Sequence, residues 1–217
     1  MKIDYGMLDV PFVCDKSVVN SSFFKKEAKE CSVRIKCNVK LSWLVLYCFL
    51  SKILHKDDLN INISLFGKPY LINYPNLQFN LSHSGDNMIF IFSTKKIGID
   101  IEMVKDVNLN GKEIFFCKDE WSYINSFNHN TSAFFEIWTL KEAYLKYLGI
   151  GLNESLKNVN VRVLDRNKYA IYHNEKKLNL NLKSFEFYDK FKYRISICSE
   201  KKISSNIINL NEIEWKK

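Results

Sequence analysis

Proline and glycine are scarce in this chain: 3 prolines and 7 glycines among 217 residues. Pro11, Pro69 and Pro75 all lie in the first half, and no stretch is rich in either residue, so a flexible Gly-rich or stiff Pro-rich linker is not expected. The six cysteines are Cys14, Cys31, Cys37, Cys48, Cys117 and Cys198, and none forms a C-x-x-C pair. That removes the usual zinc-site spacing, and the cysteines read as free, mostly buried thiols of a reducing compartment. Long apolar runs are also missing. The longest, 41–50, is about half of what a bilayer crossing needs and reads as a buried helix. Residues 1–10 carry Lys2, Asp4 and Asp9 and no apolar segment, so a signal peptide is not expected. A cytoplasmic protein without a membrane part follows as the expectation.

Hydrophobic residues make up 47% and aromatics 14%, enough for a sizeable core and against global disorder. The length suits one large domain or two small packed ones. Lys+Arg is 32 against 24 Asp+Glu, a formal net charge of +8. Such a balance favours anionic partners, such as phosphates, nucleic acid or acidic proteins, or it reflects a Lys-rich bias that solvates the surface.

Segment 23–37 mixes Lys25, Lys26, Lys29, Arg34 and Lys36 with apolar residues and reads as a basic helix. Residues 39–54 read as helix on length and apolar content. Alternation predicts a strand over 60–66, broken by Gly67-Lys68-Pro69, then strands at 77–82, 88–92 and 97–102 with turns at 84–87 and 95–96. Helices are predicted over 111–127 and 132–148. Period-2 character returns at 160–164, 169–172, 178–188 and 191–198, with a hairpin tip at Asp189-Lys190. The order of helix then strands occurs twice. It predicts an α+β fold of two similar halves, 1–104 and 105–217.

Four segments carry candidate chemistry. In Ile97-Gly98-Ile99-Asp100-Ile101-Glu102 a strand sends the isoleucines to one face and Gly98, Asp100 and Glu102 to the other. Neighbouring carboxylates raise each other's pKa unless a cation neutralises them, which suits a hard divalent ion, and Gly98 leaves room for a phosphate to approach the backbone. An exposed face of an amphipathic strand would look the same. In 134–148, Phe134, Trp138, Lys141, Leu145 and Leu148 form a mostly apolar helical stripe, with Glu142 and Lys146 at its edge. Glu142 and Lys146 could equally be a surface i, i+4 pair. In Asn80-Leu81-Ser82-His83-Ser84-Gly85, a strand entering a glycine turn offers hydroxyl, imidazole and N–H donors to phosphate, or simply closes a hairpin. Gly67-Lys68-Pro69 is either a phosphate contact or a plain loop.

These segments are ordered as G-K-P, N-L-S-H-S-G, I-G-I-D-I-E, F-F-C-K-D-E-W and W-T-L-K-E-A-Y-L-K. In that order and spacing the chain resembles the Sfp-type phosphopantetheinyl transferases. The resemblance implies a pseudo-twofold α+β fold with the active site between the halves. It implies Mg²⁺ as cofactor and coenzyme A as donor of a 4'-phosphopantetheine group. The acceptor would be a serine of an apo acyl or peptidyl carrier protein, of fatty acid, polyketide or nonribosomal peptide synthesis, and 3',5'-ADP the by-product. Asp100, Glu102 and Glu142 would hold the metal. Lys68, Ser82 and His83 would contact coenzyme A phosphates, and Lys141 and Lys146 would neutralise phosphate near the reacting centre. Glu142 is the first candidate for general base and Glu120 the second, while Lys25, Lys26, Arg34 and Lys36 are candidates for the ribose 3'-phosphate. Leu148, Ile150 and Leu152 could supply an apolar docking surface for the carrier. A monomer that binds no nucleic acid is expected. The alternative is a metal-dependent nuclease, against which Lys141 precedes Glu142, the reverse of the usual acidic-x-Lys order.

Overall fold

The computed structural model describes residues 9, 11–15, 41–54, 59–204 and 206–209. The basic segment 23–37, with Lys25, Lys26, Arg34 and Lys36, lies outside the described residues, as do Cys31 and Cys37. Cys14 and Cys198 are buried and Cys117 is half-buried, and none of these three is in a disulfide.

Among the described residues the strands are β1 (Pro11–Asp15), β2 (Ile61–Ile63), β3 (Pro69–Leu71), β4 (Gln78–Ser84), β5 (Asn87–Ser93), β6 (Ile97–Met103), β7 (Val159–Asp165), β8 (Lys168–His173), β9 (Lys176–Lys177), β10 (Asn181–Tyr188), β11 (Lys192–Ser199) and β12 (Ile208–Asn209). The α-helices are α1 (Leu41–Leu54), α2 (Lys118–Asn125) and α3 (Thr131–Leu148). The fold is α+β. The sheets run β12-β1-β5-β4, β10-β11-β6, β2-β3 and β7-β8-β9.

Three packed layers of side chains hold these elements. Helix α1 lays Leu46, Phe49 and Leu50 on Phe12, Phe79, Phe90 and Phe92 of the first sheet. Strand β5 is buried throughout. Its Phe90 and Phe92 meet α1, while Ile89 and Ile91 join Ile97, Ile99 and Ile101 of β6 and Ile195 and Ile197 of β11. Strand alternation thus puts one row of β6 side chains into an isoleucine layer. The opposite row faces α3, whose Ile137, Leu140, Ala143 and Leu145 pack with α2, β7 and β8 in the third layer.

The sheet register departs from the order of elements along the chain. β6 follows β5 by a short turn, yet its hydrogen-bonded neighbour is β11, with Ile101 opposite Ile195 and Asp100 opposite Ser196. Towards β4 it is tied by side chains instead: the Ile99 amide donates to Asn80 Oδ1 (2.8 Å) and the Met103 amide to Ser84 Oγ (3.0 Å).

The helix expected over 111–127 is divided in two. A 3₁₀ turn (Lys112–Phe115) stops at Phe116, and α2 starts afresh behind Cys117. Glu120 explains the break. Its carboxylate accepts the Cys117 amide at 2.7 Å in a capping box, which favours a helix N-terminus at that residue. The strand expected over 60–66 is only β2, because the chain turns at 64–67 and returns as β3, which Pro69 begins.

Candidate active site

β4, β6, α3 and the turn before β3 meet around one cavity of about 490 Å³. β6 contributes Asp100 and Glu102, β4 contributes Asn80, Ser82 and His83, α3 contributes Trp138, Glu142 and Lys146, and the turn contributes Phe66, Gly67 and Lys68. Residues 80 to 146 reach one place for simple reasons. Alternation on β6 puts both carboxylates on the α3 side, and i, i+4 spacing stacks Trp138, Glu142 and Lys146 along one helix face.

Asp100 is 3% exposed. Its Oδ1 accepts the Lys146 ammonium at 2.6 Å and the Ser82 hydroxyl at 2.8 Å, and Lys146 also donates to Ser82 Oγ at 2.6 Å. Its Oδ2 is buried without a hydrogen-bond partner. Glu102 Oε2 accepts the Ser84 hydroxyl at 2.8 Å. Burial raises the Glu102 pKa, the Ser84 hydrogen bond opposes the rise, and Asp100 adds to it. Burial, then the Asp100 charge, pushes Glu142 up to about 7; Lys146 opposes this and Glu102 adds to it. Carboxylate oxygens are the donors a hard cation takes, and Asp100, Glu102 and Glu142 could supply them. Among the described residues, no group of three His, Cys, Asp or Glu side chains stands ready to hold a metal ion. With the side chains as they lie, the charge opposite Asp100 is Lys146.

Three residues take other places than the sequence suggests. Glu120 (1% exposed) and Lys141 (0%) do not line the cavity. The Lys141 ammonium donates to Glu120 Oε2 at 2.5 Å and lies 5.2 Å from the Phe116 ring centroid. Glu120 also accepts the amides of Cys117 and Val161, both at 2.7 Å. Their polar capacity is spent inside the protein, joining α2, α3 and β7. Neither borders the cavity in which a base or a phosphate contact would act. Gly98 is corrected too. A Cβ there would lie 2.0 Å from the Ala143 carbonyl oxygen and 2.3 Å from the Tyr147 nitrogen, so α3 fills the room beside Gly98. The glycine lets the helix approach the strand, and no phosphate reaches its backbone from that side.

Lys68 lines the cavity, but its ammonium donates to three backbone carbonyls: Ile97 (3.0 Å), Lys146 (2.8 Å) and Tyr147 (3.2 Å). It therefore ties the turn, the start of β6 and the end of α3 together rather than aiming a free cation at a ligand. Burial and then Lys96 lower its pKa to about 8. Ser82 is buried and His83 exposed, and both border the cavity. In the sequence Asn80 stands out only as the first residue of N-L-S-H-S-G. It carries the side-chain link to β6, and a buried Asn on a strand is the one sequence signal that could have marked it.

A family model described as the 4'-phosphopantetheinyl transferase superfamily matches residues 96–198. The chain is 30% identical over 223 residues to the 4'-phosphopantetheinyl transferase gsp of Aneurinibacillus migulanus, covering 96% of this chain and 90% of that one. It is 31% identical over 148 residues to the 4'-phosphopantetheinyl transferase ffp of Bacillus subtilis, covering 67% and 65% respectively. With the 4'-phosphopantetheinyl transferase Sfp of Bacillus subtilis (strain 168) it shares 36% over 112 residues, 51% of this chain and 50% of that one. The chain thus spans nine-tenths of the first relative and from half to just under two thirds of the other two. A crystal structure of a holo-(acyl-carrier-protein) synthase from Bacillus anthracis str. Ames in complex with CoA (3',5'-ADP) matches 48% of this chain and 93% of its own, at 20% identity and a TM-score of 0.39.

Proposed function

The chain belongs to the 4'-phosphopantetheinyl transferase superfamily, and on that premise we propose that it moves the 4'-phosphopantetheine group of coenzyme A onto a serine of an apo carrier protein, with Mg²⁺. One observation carries this reading: Asp100, Glu102, Glu142, Lys146, Ser82 and His83 border one cavity. No helix among the described residues is long and apolar enough to cross a membrane. Halves 1–104 and 105–217, with the site between them, belong to the same reading.

The donor set fits a divalent cation. Asp100 Oδ2 is buried and bare, and Glu102 and Glu142 are half-buried beside it, where burial and neighbouring carboxylates disfavour their negative charges without a partner. Asp100, Glu102 and Glu142 would hold Mg²⁺. When bound, the ion would supply charge neutralisation at the pyrophosphate oxygens.

The remaining steps fall to the chain's own groups. Transfer forms a bond from the carrier serine oxygen to the phosphorus bearing the pantetheine arm and breaks the bond to the departing 3',5'-ADP. The serine proton must go to a base. Glu142 borders the cavity and is the carboxylate best placed to take it. Lys146 and His83 would place a cation and a ring donor where negative charge accumulates. Phosphoryl chemistry depends mainly on position and charge, and α3 held on β6 provides the position. Leu148 and Ile150, half-buried just past the cavity, offer apolar surface to a carrier; Leu152 falls in a 3₁₀ turn (Gly151–Asn153). The net charge of +8 would speed encounter with an acidic carrier.

The test is direct. The protein is incubated with coenzyme A, Mg²⁺ and a panel of apo carriers, and each carrier is weighed. A gain of one phosphopantetheine on at least one carrier is expected, and its loss in Asp100→Asn. No gain on any carrier, with nucleic acid cleaved under the same conditions, would overturn the reading.

A further inference from the structure

In the structure the ammonium of Lys146 holds Oδ1 of Asp100, the carboxylate that would have to serve a divalent cation, while Oδ2 is buried without a hydrogen-bond partner. The ammonium donates to Asp100 Oδ1 at 2.6 Å and to Ser82 Oγ at 2.6 Å, while Ser82 donates to the same Oδ1 at 2.8 Å. The Asp100 side chain is 5% exposed and that of Lys146 28%. A buried carboxylate without a counter-charge is costly, and this ion pair supplies one.

Lys68 does not share that work, because its ammonium is committed to three carbonyls. One of those is the carbonyl of Lys146 itself, at 2.8 Å. The Lys146 backbone is therefore held in place, and only its four-carbon side chain is free to change direction. Lys105 is the other lysine felt by Glu102. Even with Lys68 and Lys146 both charged, three ionised carboxylates leave the cavity wall net negative.

We propose that Lys146 is the resident counter-ion of Asp100 in the metal-free protein and gives up that carboxylate when a divalent cation binds, which frees its ammonium for a phosphate of the substrate. The proposal rests on the reading of Asp100, Glu102 and Glu142 as metal donors. An ammonium and a divalent ion on the two oxygens of one carboxylate repel each other, which favours exchange over sharing. Ser82 stays behind and keeps Asp100 oriented through its own hydroxyl. The exchange makes the two ligands of the reaction help each other: each divalent ion bound releases one cation toward the phosphate.

Calorimetric titration with Mg²⁺, without coenzyme A, tests this on the wild type, Lys146→Met, Lys146→Gln and Asp100→Asn, each first checked for native circular dichroism. The lysine variants should bind Mg²⁺ about tenfold or more tightly than the wild type, the scale of removing a competing cation from a partly buried site. Asp100→Asn should not bind it. In protein whose lysines carry ¹³C-methyl labels, the Lys146 signal, assigned by its absence in Lys146→Arg, should move as Mg²⁺ is added. Equal or weaker binding in both lysine variants, or an unmoved Lys146 signal at saturation, would overturn the exchange. If Mg²⁺ binds to neither the wild type nor any variant, the metal reading fails and the exchange with it. If the wild type binds and Asp100→Asn does not, the metal reading stands and the lysine variants alone decide.

Discussion

The ammonium of Lys68 lies 2.8 Å from the backbone carbonyl of Lys146, 78 residues away along the chain. It closes the last turn of α3, where carbonyls lack partners within the helix and where a cation is favoured. Lys68→Met should cost roughly 1–3 kcal/mol in urea denaturation, the range for losing charged hydrogen bonds to buried carbonyls. A pH dependence accompanies it. The folded pKa, about 8, is below the ordinary lysine value of 10.5, so between these two the unfolded chain holds more protons. Stability from this group therefore rises with pH across that window. The stability difference between wild type and Lys68→Met should widen from pH 8 to pH 10.5, as paired urea titrations would read.

Gly98 gives a second prediction. Its missing side chain is what lets Ala143 and Tyr147 of α3 approach β6. Gly98→Ala must push backbone against backbone, and overpacking of this kind costs about 1–3 kcal/mol or more. Because α3 carries Glu142 and Lys146, transfer activity should fall by more than the lost stability explains. The check is activity measured at a temperature where the variant is fully folded.

The Glu120–Lys141 pair should behave as structure. Either single change, Glu120→Gln or Lys141→Met, leaves a buried charge alone and should cost about 3–5 kcal/mol. The double variant should be less destabilised than the two costs added together, which a double-mutant cycle in urea measures. Mg²⁺ affinity of whichever variants fold should match the wild type, since neither residue borders the cavity.

The cavity carboxylates make metal-free stability fall as pH rises. Glu142 is pushed from 4.5 to about 7 in the folded protein and Glu102 is also raised, so through that window the folded state holds the extra protons. Their contribution is greatest at the low end and is lost as pH passes 7. Mg²⁺ needs the ionised carboxylates, so its effect has the opposite trend. The rise in Tm on adding Mg²⁺ should be larger at pH 8 than at pH 5.5, and Glu142→Gln should reduce that difference.

Much of this site is legible along the chain because local periodicity decides it. Alternation puts Asp100 and Glu102 on one face of β6, and the 3.6-residue repeat puts Glu142 and Lys146 on the margin of the buried stripe of α3, where both are half-buried. The α+β order and the strands from β4 to β6 follow from the same two periods. Lys141 sits on the apolar stripe, a position that favours burial, although its charge suggests a phosphate contact. Its position there was a better guide than its charge.

Tertiary structure decided the rest, because partners far apart in sequence compete for the same charged group. Glu120 is claimed by Lys141 and by two amides, Lys68 by three carbonyls, and the space beside Gly98 by α3. No local pattern reveals which of these contacts wins, since each depends on desolvation and close packing across elements. By itself the sequence determined which carboxylates and lysines could face one another. Packing determined that Asp100 meets Lys146, while Glu120 and Lys141 turn inward, because burying a charge is tolerable only where a partner is already in place.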